Sequence, residues 1–175
     1  LNSLGVQVKI LTGDNELITL KICHDVGLPV HQVMLGSQVD GMMDDDLMLV
    51  VDKVSVFAKM TPQQKARVIT LLQKQGHVVG YMGDGINDGP GLKVADVSIS
   101  VDTGVDIAKE TADIILLEKS LMIIREGVTE GRKVFGNIMK YIKISASSNF
   151  GNMFSMLGAS ILLPFLPMAP VQILL

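Results

Sequence analysis

Met82–Leu92 reads MGDGINDGPGL, directly after the short apolar run Val78–Met82. An apolar run feeding a glycine-rich loop predicts a β-strand whose carboxyl end opens into a ligand site, the usual place for one in an α/β sheet. Asp84 and Asp88 stand on either side of Gly85-Ile86-Asn87, a spacing that lets two carboxylates converge on one point. A hard cation such as Mg²⁺ asks for one or two carboxylates, with waters and phosphate oxygens completing its octahedron. Gly83 and Gly85 allow positive φ and let the backbone come close to a ligand. A glycine-rich turn with solvated aspartates is the bland alternative for a bare GDG, but the full string GDGxNDxPxL is far more specific.

Working outward, apolar runs alternate with helical patterns. Strands are expected at Val6–Leu11, Val33–Leu35, Val54–Ala58, Val78–Met82, Val97–Val101 and Ile114–Leu117. Helices are expected at Glu16–Val26, with Leu17, Leu20 and Val26 as its apolar residues, then at Asp44–Val51, Pro62–Gln75 and near Pro90–Ala95. Gly27 and Gly76 end two of them, and Thr61-Pro62 supplies an N-cap followed by proline in the first turn. Strands alternating with helices predict a parallel sheet covered on both faces, a Rossmann-like α/β fold over roughly 1–119. Asp44-Asp45-Asp46 reads as an acidic helix start rather than a metal site.

From Ser120 the pattern changes to a long helix, with basic residues interleaved up to Lys143. No charged residue follows it. The segment 120–143 reads as a stalk helix and 144–163 as a helix of bilayer-spanning length, about 20 residues. Its serines and asparagines suit the interior of a bundle better than a lipid face. The stretch 164–175, with Pro164 and Pro167, reads as a loop and the start of a further span. Basic residues before the span place 1–143 on the cytoplasmic side. Because the chain opens on Leu1 and closes in the apolar run Val171–Leu175, it is expected to be an internal piece of a longer protein.

Composition narrows the function. Net charge is −3 and aromatic residues make up 4%, which argues against nucleic acid as a partner. One cysteine, Cys23, fits a reducing compartment and reads as a small buried residue. His24, His31 and His77 fall at no zinc-ligand spacing and read as surface or satisfied residues. A dinucleotide-binding reading of Gly83-x-Gly85 fails because Asp88 stands where the third glycine would be, and its charge would repel pyrophosphate.

GDGINDGPGL resembles the hinge motif of P-type cation-transporting ATPases, within the haloacid dehalogenase superfamily. Leu11-Thr12-Gly13-Asp14-Asn15, Phe57–Lys65 (FAKMTPQQK) and Ser147–Asn152 (SSNFGN) match it in the same order, so the likeness covers essentially the whole chain. The last of these, with Leu163–Pro167 (LPFLP), looks most like the magnesium-transporting branch. The resemblance implies a partial phosphorylation domain followed by the fifth membrane helix of a multi-pass plasma-membrane pump that uses ATP and Mg²⁺. Thr12, Gly13 and Lys65 would hold the phosphoryl group, Asn87 would bond a neighbouring carboxylate or phosphate, Asp14 would lie at the ATP end, and Asp84 and Asp88 would bind Mg²⁺. Implied partners are a nucleotide-binding domain, an actuator domain, further membrane helices, the lipid bilayer and the transported magnesium ion.

The DKTGT string whose aspartate becomes phosphorylated in that family occurs nowhere in the chain. The fragment alone is therefore expected to be inactive, and strands deprived of their central partner are expected to fold poorly. Ser145, Ser148, Asn149, Asn152 and Ser155 recur at three- and four-residue steps, a polar stripe on one helix face. Of these, Ser148, Asn149 and Asn152 are candidate ligands for the transported ion, with helix–helix packing as the alternative. Calcium pumps of the family carry a glutamate where this chain has Asn152, which weakens a calcium reading. Alanine is common in the family at the positions of Gly89 and Gly91, so a looser helix is expected after the loop. Alternatives in other classes are a soluble haloacid dehalogenase-type phosphatase, a non-catalytic membrane-anchored protein, and a P-type pump for another cation.

Overall fold

The computed structural model describes residues 1–118 and 120–162, with Leu121 as main chain only. It divides into two compact units, 1–123 and 124–175. Among the described residues, six strands and seven α-helices follow one another: β1 Ile10–Leu11, α1 Glu16–Asp25, β2 Val33–Leu35, α2 Gly36–Asp40, α3 Asp44–Val51, β3 Val56–Ala58, α4 Pro62–Lys74, β4 Gly80–Met82, α5 Gly89–Val94, β5 Val97–Val101, α6 Asp106–Thr111, β6 Ile114–Leu116 and α7 Leu121–Leu162.

The strands form two parallel three-stranded sheets, in the orders β1-β3-β2 and β4-β5-β6. A single sheet was the simplest expectation from alternation, but pairing between strands is not written in local periodicity. β1 and β4 each lie at the edge of their own sheet. β1 is also shorter than its apolar run, because the ladder with β3 starts at Ile10↔Val56. Residues 6–9 run ahead of it. Lys9 uses this position to donate to the carbonyls of Val51, Asp52 and Val54 at 3.0, 2.7 and 2.8 Å. The ammonium thus caps the carboxyl end of α3, where the helix dipole favours positive charge.

The core of the first unit gathers on α4. Val68, Leu71 and Leu72 pack with Phe57, Leu47, Val51 and Val54 on one side, while Ile69 meets Tyr81, Leu92 and Ala108 on the other. Leu11 of β1 and Val79, just before β4, touch both clusters. α4 starts where its local signals put it: Thr61 Oγ1 accepts from Gln64 N–H, and Gln64 Oε1 accepts from Thr61 N–H. This reciprocal cap satisfies two donors that a helix start otherwise leaves open.

α1 corrects the expectation for its apolar face. Leu17 and Val26 are exposed, and the helix buries Thr19 and Cys23 instead. Leu17, Ile18, Ile22 and Val26 leave apolar residues around much of the helix, so periodicity did not single out the inward side. α2 and α6 were not expected. Gly36 opens α2 because a Cβ there would sit 2.4 Å from the Lys59 carbonyl oxygen, and a glycine at a helix start reads locally as a loop. α6 has only six residues, too short for a stripe.

α7 is 42 residues long, about 63 Å at 1.5 Å per residue. Among the described residues no helix is long and apolar enough to cross a membrane. Asn149, Asn152 and the serines hold down the mean hydropathy of the uncharged stretch. Residue 163, the LPFLP run and the expected further span over 164–175 lie outside the described residues.

Candidate functional site

The site is built from loops that leave the carboxyl ends of β1, β3 and β4. After β1, Thr12 N–H donates to the Phe57 carbonyl at 2.9 Å, and Thr12 and Asp14 close a small turn. The Thr12 hydroxyl donates to Asp14 Oδ2 and accepts from the Asp14 N–H, both at 3.1 Å. Two further main-chain bonds dock this loop on the one after β3: Lys59 N–H to the Asp14 carbonyl and Met60 N–H to the Thr12 carbonyl, each 2.9 Å. Lys59 takes φ 54, the one described non-glycine residue at positive φ. Such strain costs about 1–2 kcal/mol and persists where its surroundings enforce it. Its ammonium reaches Glu16 at 2.9 Å, and that bond holds the Glu16 carboxyl below the usual carboxylate range.

α4 then carries Lys65 inward. It is 8% exposed, a rare state for lysine unless it is paired. Its Nζ lies 2.8 Å from Asp88 Oδ1, with the side chains 10% and 15% exposed. The Tyr81 hydroxyl, from β4, donates to the same oxygen at 2.7 Å, and Gly85 N–H donates to Asp88 Oδ2 at 3.3 Å. Burial pushes the Asp88 carboxyl up. The Lys65 ammonium, the Tyr81 hydroxyl and the Gly85 N–H outweigh it, so the group titrates below the usual range. Burial raises the Tyr81 phenol well above its ordinary value, helped by its bond to Asp88 and by the charges of Asp88 and Asp84.

The two aspartates therefore stand in different surroundings. Asp88 is occupied by three protein donors. Asp84 is exposed, and its carboxylate accepts no hydrogen bond among the described residues. Its main-chain carbonyl takes Val105 N–H at 3.0 Å, which ties the loop to the start of α6. Asn87 is exposed, and its side chain makes no hydrogen bond among the described residues.

Gly83 and Gly85 do not use the positive φ that glycine allows: the positive-φ glycines among the described residues are Gly5, Gly27 and Gly76. What Gly83 supplies is room. A Cβ there would fall 2.4 Å from Asp88 Cβ, so glycine lets the loop fold back on Asp88. Gly91 does the same for Tyr81, whose Cε1 would be 2.7 Å from an added Cβ. The α5 glycine thus makes space for a ring, and a looser helix is not its main consequence.

Lys65, Asp88, Tyr81 and Gly85 come into direct contact. Thr12, Gly13 and Asp14 dock on the loop that leads into α4, and no hydrogen bond or ion pair joins them to the Lys65–Asp88 pair. Ser148, Asn149 and Asn152 lie on α7, exposed, with no side-chain hydrogen bond among the described residues. Tyr81 is the member that sequence reasoning missed. The alternation of β4 would have pointed it inward, yet nothing local names its partner.

No group of three or more metal-ligating side chains occurs among the described residues. Mg²⁺ does not require one, since it keeps several waters and is commonly held by one or two carboxylates plus substrate phosphates. The open carboxylate of Asp84 fits that demand.

A family model for haloacid dehalogenase-like hydrolases matches residues 1–96. The chain belongs to this family. Within the haloacid dehalogenase-like hydrolases it is similar to the "Magnesium-transporting ATPase, P-type 1" of Salmonella typhimurium LT2, at 58% identity over all of this chain and 19% of that protein. The protein of the same name from Escherichia coli K12 is 57% identical over all of this chain and 20% of its own length. The chain thus spans about a fifth of the curated relatives it matches. Among solved structures, a zinc-transporting PIB-type ATPase in its E2.Pi state aligns with TM-score 0.68 and 28% identity, over 92% of this chain and 22% of that one.

Proposed function

We propose that this chain is the phosphoryl- and Mg²⁺-binding part of a membrane P-type ATPase that couples ATP hydrolysis to magnesium transport. The observation that carries the reading is the division of labour in the GDGIND loop: Asp88 is paired with buried Lys65, while Asp84 is left open at the carboxyl end of β4. The likeness to magnesium-transporting relatives over the full chain supports the cargo.

In this reading Lys65 presents ammonium protons to a phosphoryl oxygen while Asp88 and α4 hold its stem. The Thr12 hydroxyl turns from Asp14 to donate to a second oxygen, and the Gly13 N–H, unbonded among the described residues, is a third donor. Asp14 faces the ATP side. Asp84 is the principal ligand for Mg²⁺, with Asn87 beside it and Asp88 acting mainly through Lys65. The bound ion supplies charge neutralisation at the transferring phosphoryl group. Fixed donors aimed at the equatorial oxygens are what phosphoryl transfer needs, because its transition state spreads charge over them.

The phosphorylated aspartate is assigned to a segment of the complete protein outside this chain. A strand bearing it would pair with the open edges of β1 and β4 and join the two sheets. Nucleotide-binding and actuator domains and other membrane helices complete the machine. Within it, 1–143 is cytoplasmic and 144–163 is an interior helix of a plasma-membrane bundle, with Ser148, Asn149 and Asn152 toward the ion path. Interior placement agrees with the modest apolarity of the segment, since polar groups in a span face a bundle or cavity.

The test uses labelled ATP and Mg²⁺. The complete protein should form an acid-stable phosphoenzyme and move Mg²⁺ into or out of proteoliposomes, whereas residues 1–175 alone should take up no label. Covalent labelling of the chain alone, or a complete protein that forms no phosphoenzyme, would refute the proposal.

A further inference from the structure

Tyr81 belongs to no motif, yet it shares the oxygen that holds the site's lysine. Its ring is buried in the middle of β4, packed over Gly91, and its hydroxyl donates to Asp88 Oδ1 at 2.7 Å. Lys65 Nζ donates to that same oxygen at 2.8 Å and has no other protein acceptor among the described residues. Two short donors on one carboxylate oxygen compete for its electron density, so each is held less tightly than it would be alone.

We propose that Tyr81 is a positioning residue that weakens the grip of Asp88 on Lys65 and so frees the ammonium to engage a phosphoryl oxygen. The inference rests on the reading of the site given above. Without the hydroxyl, the charge on Oδ1 falls to Lys65 alone, and the lysine becomes a tighter ion pair and a poorer phosphate ligand. Phenylalanine at 81 keeps the ring over Gly91 and isolates this effect.

Orthovanadate, an analogue of the transferring phosphoryl group, is the probe. In the complete protein, Tyr81→Phe should raise the vanadate concentration that half-inhibits ATP hydrolysis about three- to tenfold, the range expected when one hydrogen bond is redistributed. This shift should exceed any change in kcat, with the Mg²⁺ dependence held. Lys65→Met serves as the reference and should abolish vanadate sensitivity or hydrolysis. If Lys65→Met left both intact, the reading of the site itself would fall. If Lys65→Met is severe but Tyr81→Phe leaves vanadate inhibition unchanged, the site stands and the role of Tyr81 is refuted. A Tyr81→Phe protein that fails to fold, or that loses stability and kcat without a vanadate shift, would make the hydroxyl structural and equally overturn the proposal.

Discussion

Replacing Lys65 by methionine keeps most of the volume of the stem in α4 and removes one buried charge. Nζ lies 2.8 Å from Asp88 Oδ1, with both side chains at least 85% covered. Removing one partner of a buried pair costs about 3–5 kcal/mol when the remaining charge has nothing else. Asp88 would keep the Tyr81 hydroxyl and the Gly85 N–H, so the expected loss here falls to about 2–3 kcal/mol. That corresponds to a fall in unfolding temperature on the order of 10 °C for a unit of this size. Adding Asp88→Asn should recover much of it, because an amide still accepts from Tyr81 and leaves no orphan charge. Function should not follow. Neither the single nor the double variant offers an ammonium to the phosphoryl group, and each should lose at least about 10²-fold in ATP hydrolysis. Thermal unfolding and phosphoenzyme formation, measured on the complete protein in all four combinations, separate the two roles. Hydrolysis that returned with stability in the double variant would reduce Lys65 to a counter-ion and refute the reasoning.

The two glycines of α5 should respond to alanine with opposite signs. Gly89 has helical φ and ψ and open space around it, so Gly89→Ala should stabilise by about 0.4–1 kcal/mol through the unfolded chain. Gly91→Ala would drive a Cβ into the Tyr81 ring and should cost about 1–3 kcal/mol; denaturant midpoints that rise for both would contradict the packing of Tyr81 on α5. Asp88 supplies a pH dependence. Its folded pKa lies below the unfolded one, so its contribution is complete above the ordinary carboxylate range, near about 4, and is lost as pH falls through the lower folded value. Unfolding measured against pH should therefore show a flatter acid limb in Asp88→Asn than in the parent.

The parts legible in the sequence are those governed by neighbours along the chain. β2, α3 and the start of α4 fall where local signals put them, since Thr61, Pro62 and Gln64 settle a helix start among themselves. Strand ends were overextended at Val6, Val54 and Val78, because a ladder stops where its partner does and the partner is distant. The buried side of α1 stayed hidden, as Leu17, Ile18, Ile22 and Val26 leave no single apolar face while small Thr19 and Cys23 fit inside. At the site, residue types point toward phosphoryl chemistry but do not tell the surroundings of one aspartate from those of the other. Asp84 and Asp88 look alike in sequence, and only the lysine of α4 and the tyrosine of β4 make them different. The room that Gly83 gives Asp88 and Gly91 gives Tyr81 is likewise a matter of contact, invisible to turn rules.

The central claim is that Thr12, Lys65 and Asp84 surround one phosphoryl group and its Mg²⁺. An experimental structure of the complete protein with Mg²⁺ and a fluoride mimic of the transferring phosphoryl group addresses it directly. Lys65 Nζ and Thr12 Oγ1 are expected about 3 Å from fluoride, and an Asp84 oxygen about 2.1 Å from Mg²⁺. A mimic bound out of reach of Lys65, or a Mg²⁺ ion held without Asp84, would contradict the account.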